Sequence, residues 1–375
     1  MQLSVNPSTV SLNQLITVIM TVTNSGQADA LSVHSTPYDL GIISSGGGAA
    51  MKITGPLPLQ ISIPGGQTRN FTWTYSATAT GQIQFSTVAS GIDANENTDV
   101  YSNTFASSAV TIQQPAQLVS EISASHYVIS TGHIITVWMS VTNNGEASAN
   151  NVQPQFVASG SVSLLSGPQP PATSVPGSSS AVFTWTYSVT GSGSLNFSGR
   201  AQGTDANSGW TVYSGYKSIT VNSQNAANLS SSITSLPELA GIGWRITVIM
   251  TVTNTGEASA LNVAPSLITN PAGPSIVTLL DTPMINITIP GNSSHSFTWT
   301  YSADATGTVN FSGRASGQDA NNNDTVYSYY NYDTTFIQTP ASVQSAIYVM
   351  PVTISTQQLF TVIMVVTNTG LATAE

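Results

Sequence analysis

The sequence predicts an all-β chain of tandem antiparallel β-sandwiches arranged as an extended rod. Three observations predict this fold class: two segments recur along the 375 residues, apolar and polar positions alternate, and no helical period is sustained. The aromatic segment FTWTY occurs at 71–75, 183–187 and 297–301, so that its copies are 112 and 114 residues apart. A period of this length is that of a whole domain rather than of a solenoid repeat.

A second recurring segment, ITVxMxVTNxG, sets the predicted domain boundaries. It occurs three times, and a related fourth copy, FTVIMVVTNTG, follows at 360–370; the three copies lie at 16–26, 135–145 and 246–256. We therefore predict three complete immunoglobulin-like repeats and the first two strands of an incomplete fourth. The names repeat 1 to repeat 4 denote these segments, at 1–114, 115–225, 226–339 and 340–375.

Repeat 3 illustrates the predicted strands in order. Residues 244–254 alternate with β-branched side chains, which predicts a strand, and the turn Asn254-Thr255-Gly256 joins it in a hairpin to a strand over 260–265. A third strand over 285–289 ends at Pro290-Gly291, a pair suited to a type II turn. Each of these turns recurs in the other repeats.

The FTWTY segment predicts the core of each repeat. Phe297, Trp299 and Tyr301 share one strand face, and three aromatic side chains on one face are best explained as core. Strands over 308–318 and 325–337 then flank the loop 319–324. About seven strands with frequent turns are typical of an immunoglobulin-like sandwich.

The connections between repeats are short and contain no long Gly/Ser tract, as the segments 113–118, 222–229 and 338–343 show. Short connections limit bending, which is why we expect a semi-rigid rod.

These motifs resemble those of CARDB-type repeats of prokaryotic cell-surface proteins. The resemblance rests on the pattern VTNxGxAxAxNV (clearest at 252–263), the Pro-Gly turn, the aromatic strand, and the segment FSGxAxGxDxN. It implies an immunoglobulin-like sandwich and an adhesion, stalk or filament role, and it carries no catalytic residue. Repeat 1 departs from the pattern, since Thr87-Val88 stands where Gly199-Arg200 and Gly313-Arg314 stand in the other repeats.

The composition excludes several classes of site and partner. The chain has no cysteine, so it forms no disulfide and no thiolate metal site. Six Lys and Arg against sixteen Asp and Glu argue against a nucleic-acid partner or an anionic membrane surface. No apolar stretch reaches 18 residues, which predicts no membrane insertion in this segment. Charged residues make up only 6%, and we associate this composition with extracellular, cell-surface proteins.

One acidic position recurs in all three complete repeats. Asp93, Asp205 and Asp319 occupy the same predicted loop, and Asp99 and Asp324 follow nearby. These carboxylates are candidate calcium ligands, because hard cations bind several oxygens from a short loop. The alternative is that each aspartate caps its own turn. Calcium is the one cofactor that the sequence suggests, and the four histidines occupy no matching positions.

Two further residue types have more than one interpretation. Arg200 and Arg314 either pair with the loop aspartate of the same repeat or lie over an aromatic ring. Asn292 and Asn323 head N-glycosylation sequons in predicted turns, although sequons at this Ser/Thr content also arise by chance.

Apolar and aromatic side chains are predicted on outer faces of the sheets. Ile19, Trp138 and Ile249 occupy matching outward positions, and three tyrosines cluster near the end of repeat 3: Tyr329, Tyr330 and Tyr332. Such positions either mark contacts between domains or subunits, or lie beneath a loop.

The predicted partners are further copies or neighbouring subunits. They are expected to bind through sandwich edges and through incomplete repeat 4, whose two strands cannot bury their apolar face alone. The alternative is that repeat 4 belongs to a longer array.

The function predicted from the sequence is that of a non-enzymatic extracellular repeat protein forming a surface rod, stalk or filament. Two alternatives stay open. One is an adhesin that binds carbohydrate or another ligand, and the other is a non-catalytic spacer of a larger secreted enzyme.

Overall fold

A computed structural model describes residues 1–270 and 276–375. Within those ranges the regular structure is β-strand alone, which confirms the all-β prediction. No helix that could cross a bilayer occurs in them. The chain forms two compact units, the first made of 1–125, 134–188 and 195–220, and the second made of 126–133, 189–194 and 221–375.

Repeat 1 lies in the first unit. Its strands are β1 (Gln2–Asn6), β2 (Thr9–Ser11), β3 (Leu15–Thr23), β4 (Ala30–Ser45), β5 (Ala49–Leu57), β6 (Ile61–Ile63), β7 (Thr68–Ala79), β8 (Gly81–Asp93), β9 (Asp99–Tyr101), β10 (Phe105–Ala106) and β11 (Val110–Gln113). They form two sheets, one with the order β1-β3-β7-β5 and the other with the order β2-β11-β8-β4-β6, in which β9 and β10 also pair with β8. Neighbouring strands are antiparallel except β2 and β11, where Val10 lies opposite Ile112.

The strands of repeat 2 are β12 (Leu118–Ala124), β13 (Val128–Ser130), β14 (Ile134–Asn143), β15 (Ala149–Ser159), β16 (Val162–Gln169), β17 (Thr173–Val175), β18 (Ser179–Val189), β19 (Gly193–Asp205), β20 (Thr211–Tyr213) and β21 (Lys217–Gln224). Four of them form a sheet with the order β12-β14-β18-β16. In the first unit β19 pairs with β15 and β20. In the second unit β13 pairs in parallel with the end of β21, where Val128 lies opposite Asn222.

Repeat 3 lies in the second unit. Its strands are β22 (Leu229–Leu236), β23 (Leu239–Gly241), β24 (Arg245–Asn254), β25 (Ala260–Asn270), β26 (Val277–Asp281), β27 (Ile287–Ile289), β28 (Ser293–Ala303), β29 (Gly307–Asp319), β30 (Thr325–Tyr327) and β31 (Asn331–Gln338). They form two sheets with the orders β22-β24-β28-β26 and β23-β31-β29-β25-β27, and β30 also pairs with β29 in the second sheet.

The aromatic strand forms the core as predicted. Phe71 and Trp73 are fully buried, and Phe183 and Phe297 occupy the same place in repeats 2 and 3. In repeat 2 the ring of Trp185 stacks on Phe156 from the opposite sheet, with 4.1 Å between the ring centroids. Period-two alternation therefore directs the apolar face of each strand into the space between the sheets.

Two details of the predicted strands are wrong. The strand after the Asn-x-Gly turn does not form a hairpin with the one before it, because β24 pairs with β22 and β28 while β25 pairs with β27 and β29. The chain crosses between the two sheets at this turn. The predicted strand over 325–337 is also interrupted, since β30 ends at Tyr327 and β31 begins at Asn331.

The departure of repeat 1 from the common pattern has a structural counterpart. Gly199 and Gly313 lie directly opposite Phe156 and Leu267, so close that a side chain on either glycine would meet the facing strand. Repeat 1 has Thr87 there, and β4 leaves its register between Thr36 and Gly41. The bulge makes room for the threonine side chain, as extra residues in one strand of a pair do.

Repeat 4 is a two-stranded hairpin of β32 (Val343–Met350) and β33 (Thr361–Asn368). The positions that are buried in β3, β14 and β24 are exposed here, as Val362, Met364 and Val366 show. The hairpin therefore presents an apolar face with no opposing sheet among the described residues.

Candidate functional site: the junctions between repeats

The loop aspartate of repeat 2 lies in the junction with repeat 1. Asp205 ends β19 at an inward position and is 1% exposed. Its carboxylate accepts hydrogen bonds from the Ser11 hydroxyl of repeat 1 (3.0 Å) and from the backbone N–H of Ala116 in the connecting segment (2.7 Å). It also accepts bonds from its own loop, from the N–H groups of Asn207 (3.1 Å) and Ser208 (2.8 Å). One carboxylate therefore joins repeat 1, the connection and repeat 2 within the first unit.

The junction of repeats 2 and 3 is built in the same way within the second unit. Asp319 is fully buried and accepts hydrogen bonds from the Ser130 hydroxyl (3.0 Å) and from the N–H of Ala227 (2.7 Å). The N–H of Asn321 in the same loop donates at 2.9 Å. Recurrence of this arrangement in a second junction indicates that it is a property of the repeat.

A side-chain amide adds a second link to each junction. In the first, Asn207 donates to the Ser11 hydroxyl oxygen (3.2 Å) and to the Gln113 side-chain oxygen (2.9 Å). In the second, Asn321 donates to Ser130 and to Gln224, both at 3.0 Å. The Asp-Ala-Asn sequence of the loop thus supplies an acceptor and a donor two residues apart, both facing the preceding repeat.

Glutamate side chains of the following repeats also bind the backbone of the connecting segments. Glu146 accepts a hydrogen bond from the N–H of Gln114 (2.9 Å), and Glu257 accepts one from the N–H of Asn225 (2.7 Å). The carbonyl oxygen of Pro115 lies against Gly145, where a Cβ would collide with it. The glycine of the VTNxG motif is therefore required by the close approach of the connection, a condition that Gly26 of repeat 1 does not meet.

The asparagine of the same motif completes the attachment. Asn143 is fully buried, accepts hydrogen bonds from the N–H groups of Gln117 and Gly145, and donates to the carbonyl oxygens of Ala147 and Val175. All four hydrogen-bonding positions of this amide are used, which offsets the cost of its burial. Asn254 makes the matching bonds in repeat 3.

The loop aspartate of repeat 1, Asp93, is held by hydrogen bonds from its own turn. The Asp93 carboxylate accepts bonds from the N–H groups of Asn95 (2.8 Å) and Glu96 (3.0 Å), and these bonds hold its pKa below the usual value. A cavity of about 290 Å³ lies beside Asn24 and Gly91. At the matching glycines of repeats 2 and 3, Gly203 and Gly317, a leucine side chain from the first strand lies close by, Leu118 and Leu229 respectively.

The electrostatics of the first junction are those of a carboxylate among uncharged donors. Burial of Asp205 raises its pKa, but the bonds donated by Ala116, Ser208 and Ser11 together outweigh burial. The pKa of Asp205 therefore lies below its usual value. Hydrogen bonds to the charged form have this effect.

The five predicted calcium ligands are distributed over different environments. Asp205 and Asp319 face N–H and O–H donors, Asp99 lies exposed in β9, and the exposed Asp324 lies 3.1 Å from the imidazole Nε2 of His133. Among residues 1–270 and 276–375 no three His, Cys, Asp or Glu side chains are grouped so that they could hold a metal ion. The turn-capping alternative agrees with the hydrogen bonds that the loop aspartates accept, and calcium binding stays a prediction.

The predicted glycosylation sites both lie on the surface. Asn292 and Asn323 are exposed and take positive φ values of 56° and 63°, which is typical of asparagine in tight turns. Attachment of a sugar stays a prediction.

The two matching arginines lie over aromatic rings rather than beside the loop aspartates. The guanidinium carbon of Arg200 lies 4.2 Å from the ring centroid of Tyr213 and 4.8 Å from that of Tyr216. That of Arg314 lies 4.5 Å from Tyr327 and 5.0 Å from Tyr330. The aromatic alternative for these arginines is therefore confirmed.

Comparison with known proteins gives fold likeness at low similarity. No protein-family model matches the sequence. No curated protein sequence matches it. Among solved structures, FdeC, an Escherichia coli adhesin, is 14% identical, with 90% of this chain and 96% of that chain covered and a TM-score of 0.36. The bacterial integrin-binding protein invasin is 12% identical, with 91% and 60% covered and a TM-score of 0.33. The mouse nectin-like molecule 4 ectodomain is 9% identical, with 88% and 96% covered and a TM-score of 0.26. At these scores the likeness carries no argument about function.

Proposed function

We propose that this chain is a non-enzymatic, extracellular structural repeat protein that forms a rod, stalk or filament at a cell surface. The supporting observation is a buried aspartate that accepts hydrogen bonds from a serine of the preceding repeat and from the backbone of the connecting segment. We call this arrangement the aspartate clamp, and it recurs in both junctions with equivalent partners. A flexible linker would need none of these bonds. A carboxylate that binds the preceding repeat and the connecting backbone together restricts bending at the junction, so reach would scale with the number of repeats.

The cell-surface part of this proposal rests on composition and on the resemblance to CARDB-type repeats. The chain has no cysteine, 6% charged residues and a net charge of −10. This net charge opposes contact between copies of the chain, so association at the cell surface would have to come from local apolar contacts.

We further propose that the partners are other sandwich elements of the same kind. The apolar face of β32–β33 has the pattern of a core face and no opposing sheet among the described residues. Strands of a neighbouring copy, or those of further repeats in a longer array, would cover this face. Both occupants supply the same apolar chemistry.

Electron microscopy of the purified chain in dilute buffer tests the proposal. Straight particles that keep one angle at each junction are expected, and long filaments with an axial repeat near three domain lengths would establish self-assembly. The double variant Asp205→Asn and Asp319→Asn should give particles with variable bends, whereas the matched variant Asp93→Asn and Asp99→Asn should resemble the original chain. Equally variable angles in all three proteins would refute the structural role of the junctions.

A second candidate function, a ligand-binding adhesin, is favoured by a separate observation. Repeats 2 and 3 present arginines between exposed tyrosines, an arrangement that the junctions do not require.

A further inference from the structure

The arginine–tyrosine cluster of repeat 2 lies on an outer sheet face in the first unit. Arg200 projects from β19 between Tyr213, at the end of β20, and Tyr216, and these rings are 46% and 68% exposed. Gln155 accepts a hydrogen bond from Arg200 Nε (2.8 Å) and donates to the side-chain oxygen of Gln202 (2.5 Å). The cluster thus consists of two exposed aromatic rings, a cation held between them and two amides beside the cation.

Repeat 3 has the same cluster in the second unit. Arg314 lies between Tyr327 and Tyr330, which are 53% and 59% exposed. Tyr329 and Tyr332 next to them are more exposed still. Repeat 1 builds the same strand with Val88 in place of the arginine, so the fold does not depend on a cation at this position.

The guanidinium groups retain donors that the protein does not use. Within the part of the chain that the structure describes, the Nη nitrogens of Arg200 and the whole guanidinium of Arg314 have no hydrogen-bond acceptor in the protein. A guanidinium fork matches a carboxylate with two parallel hydrogen bonds. The chain has only six Lys and Arg and a net charge of −10, yet two of its four arginines occupy this equivalent position in repeats 2 and 3.

We propose that these two clusters bind the uronic acid residues of an acidic polysaccharide. The carboxylate of the sugar pairs with the Nη groups of the arginine, and the C–H face of the pyranose ring stacks on the exposed tyrosine. The nearby amides of Gln155 and Gln202 in repeat 2 supply hydrogen bonds for hydroxyl groups. The exposed tyrosine rings beside each arginine offer a stacking surface for a pyranose ring, which favours a sugar over an acidic peptide. The inference rests on the second candidate function and is independent of the rod.

Affinity electrophoresis of the full chain tests this assignment. Native gels would contain polygalacturonate, neutral dextran or polyglutamate, and mobility would be compared with that in a plain gel at about 0.15 M salt. We expect retardation by polygalacturonate alone. General repulsion between an acidic protein and a polyanion opposes retardation, so binding would have to come from a local site.

The chain provides its own matched variants. Arg200→Val with Arg314→Val introduces the residue of repeat 1 and should abolish retardation, while Arg69→Val with Arg245→Val removes the same charge elsewhere and should leave it unchanged. Tyr216→Leu with Tyr330→Leu should weaken retardation at least threefold while both arginines stay in place.

The proposal is overturned by an unretarded original chain, by equal loss of retardation in both arginine pairs, or by equal retardation in polyglutamate. Particles of unchanged straightness in the arginine variant would separate this result from the structural role.

Discussion

Replacement of Asp205 by asparagine is the most direct test of the junction. The substitution keeps size and shape but replaces one acceptor oxygen by an N–H₂ group and removes the charge. The amide oxygen can still accept the turn bonds from Asn207 and Ser208. The new amide nitrogen then faces the N–H of Ala116, which the carboxylate accepts at 2.7 Å in the original chain.

The expected cost follows from the donor that loses its partner. Ala116 is 5% exposed, so water does not readily replace the carboxylate. A buried donor left unsatisfied costs about 1–3 kcal/mol, and bonds to a charged group lie at the upper end of the range. We expect the junction to open about 2–3 kcal/mol more easily, which is roughly a 30- to 160-fold increase in the open population.

Amide hydrogen exchange on the full chain measures this change directly. Protection of the Ala116 amide should fall by that factor, because exchange reports the free energy of local opening. Asp93→Asn is the matched control, since its carboxylate accepts only the turn bonds of Asn95 and Glu96, which an amide oxygen can keep. A loss of protection at Ala116 below about threefold would refute the clamp.

Three further predictions concern the same junctions. Gly145→Ala should lower the midpoint of thermal unfolding by several degrees, since its Cβ would collide with the Pro115 carbonyl, whereas Gly26→Ala, with the nearest atom at 3.4 Å, should change it little. Because the folded state lowers the pKa of Asp205, the contribution of this residue to stability is complete above about pH 4 and is lost as the pH falls further. Hydrogen exchange at Ala116, corrected for the intrinsic rate, should show this loss. Constant protection down to about pH 2 would contradict it. A chelator should leave protection at Ala116 unchanged because its acceptor faces donors rather than a cation, and loss of protection would instead establish calcium in the junction.

Much of the fold could be predicted from the sequence because the repeats report it three times. The alternation of apolar and polar residues within β24 and the aromatic side chains of β28 appear again in the other repeats. A pattern that recurs in all three repeats can be distinguished from one that arises by chance in a single repeat. The crossing between sheets after Asn254 could not be predicted, because an Asn-x-Gly turn serves a hairpin and a crossover equally well. The choice depends on contacts with the connecting segment, such as that of Asn254 with Asn228.

The candidate site was predicted only in part. The loop aspartates were found because they recur, but their partners were not, since Ser11 precedes Asp205 by 194 residues in the sequence. A usable signal did exist, because Ser11 and Ser130 occupy matching positions one residue after a buried strand residue. The aromatic neighbours of Arg200 and Arg314 were anticipated as an alternative, and the geometry decided between two interactions that spacing alone could not separate.

The hydrogen-bond donors around Asp205 and Asp319 determine how far the geometry of the junctions depends on salt concentration. Each carboxylate is held by hydroxyl and amide groups that carry no net charge. Dissolved ions weaken attraction between exposed opposite charges, but they have little access to a buried anion surrounded by neutral dipoles. The angle between neighbouring sandwiches should therefore be the same in fresh water and in brine, whereas junctions built from surface ion pairs would loosen as salinity rises.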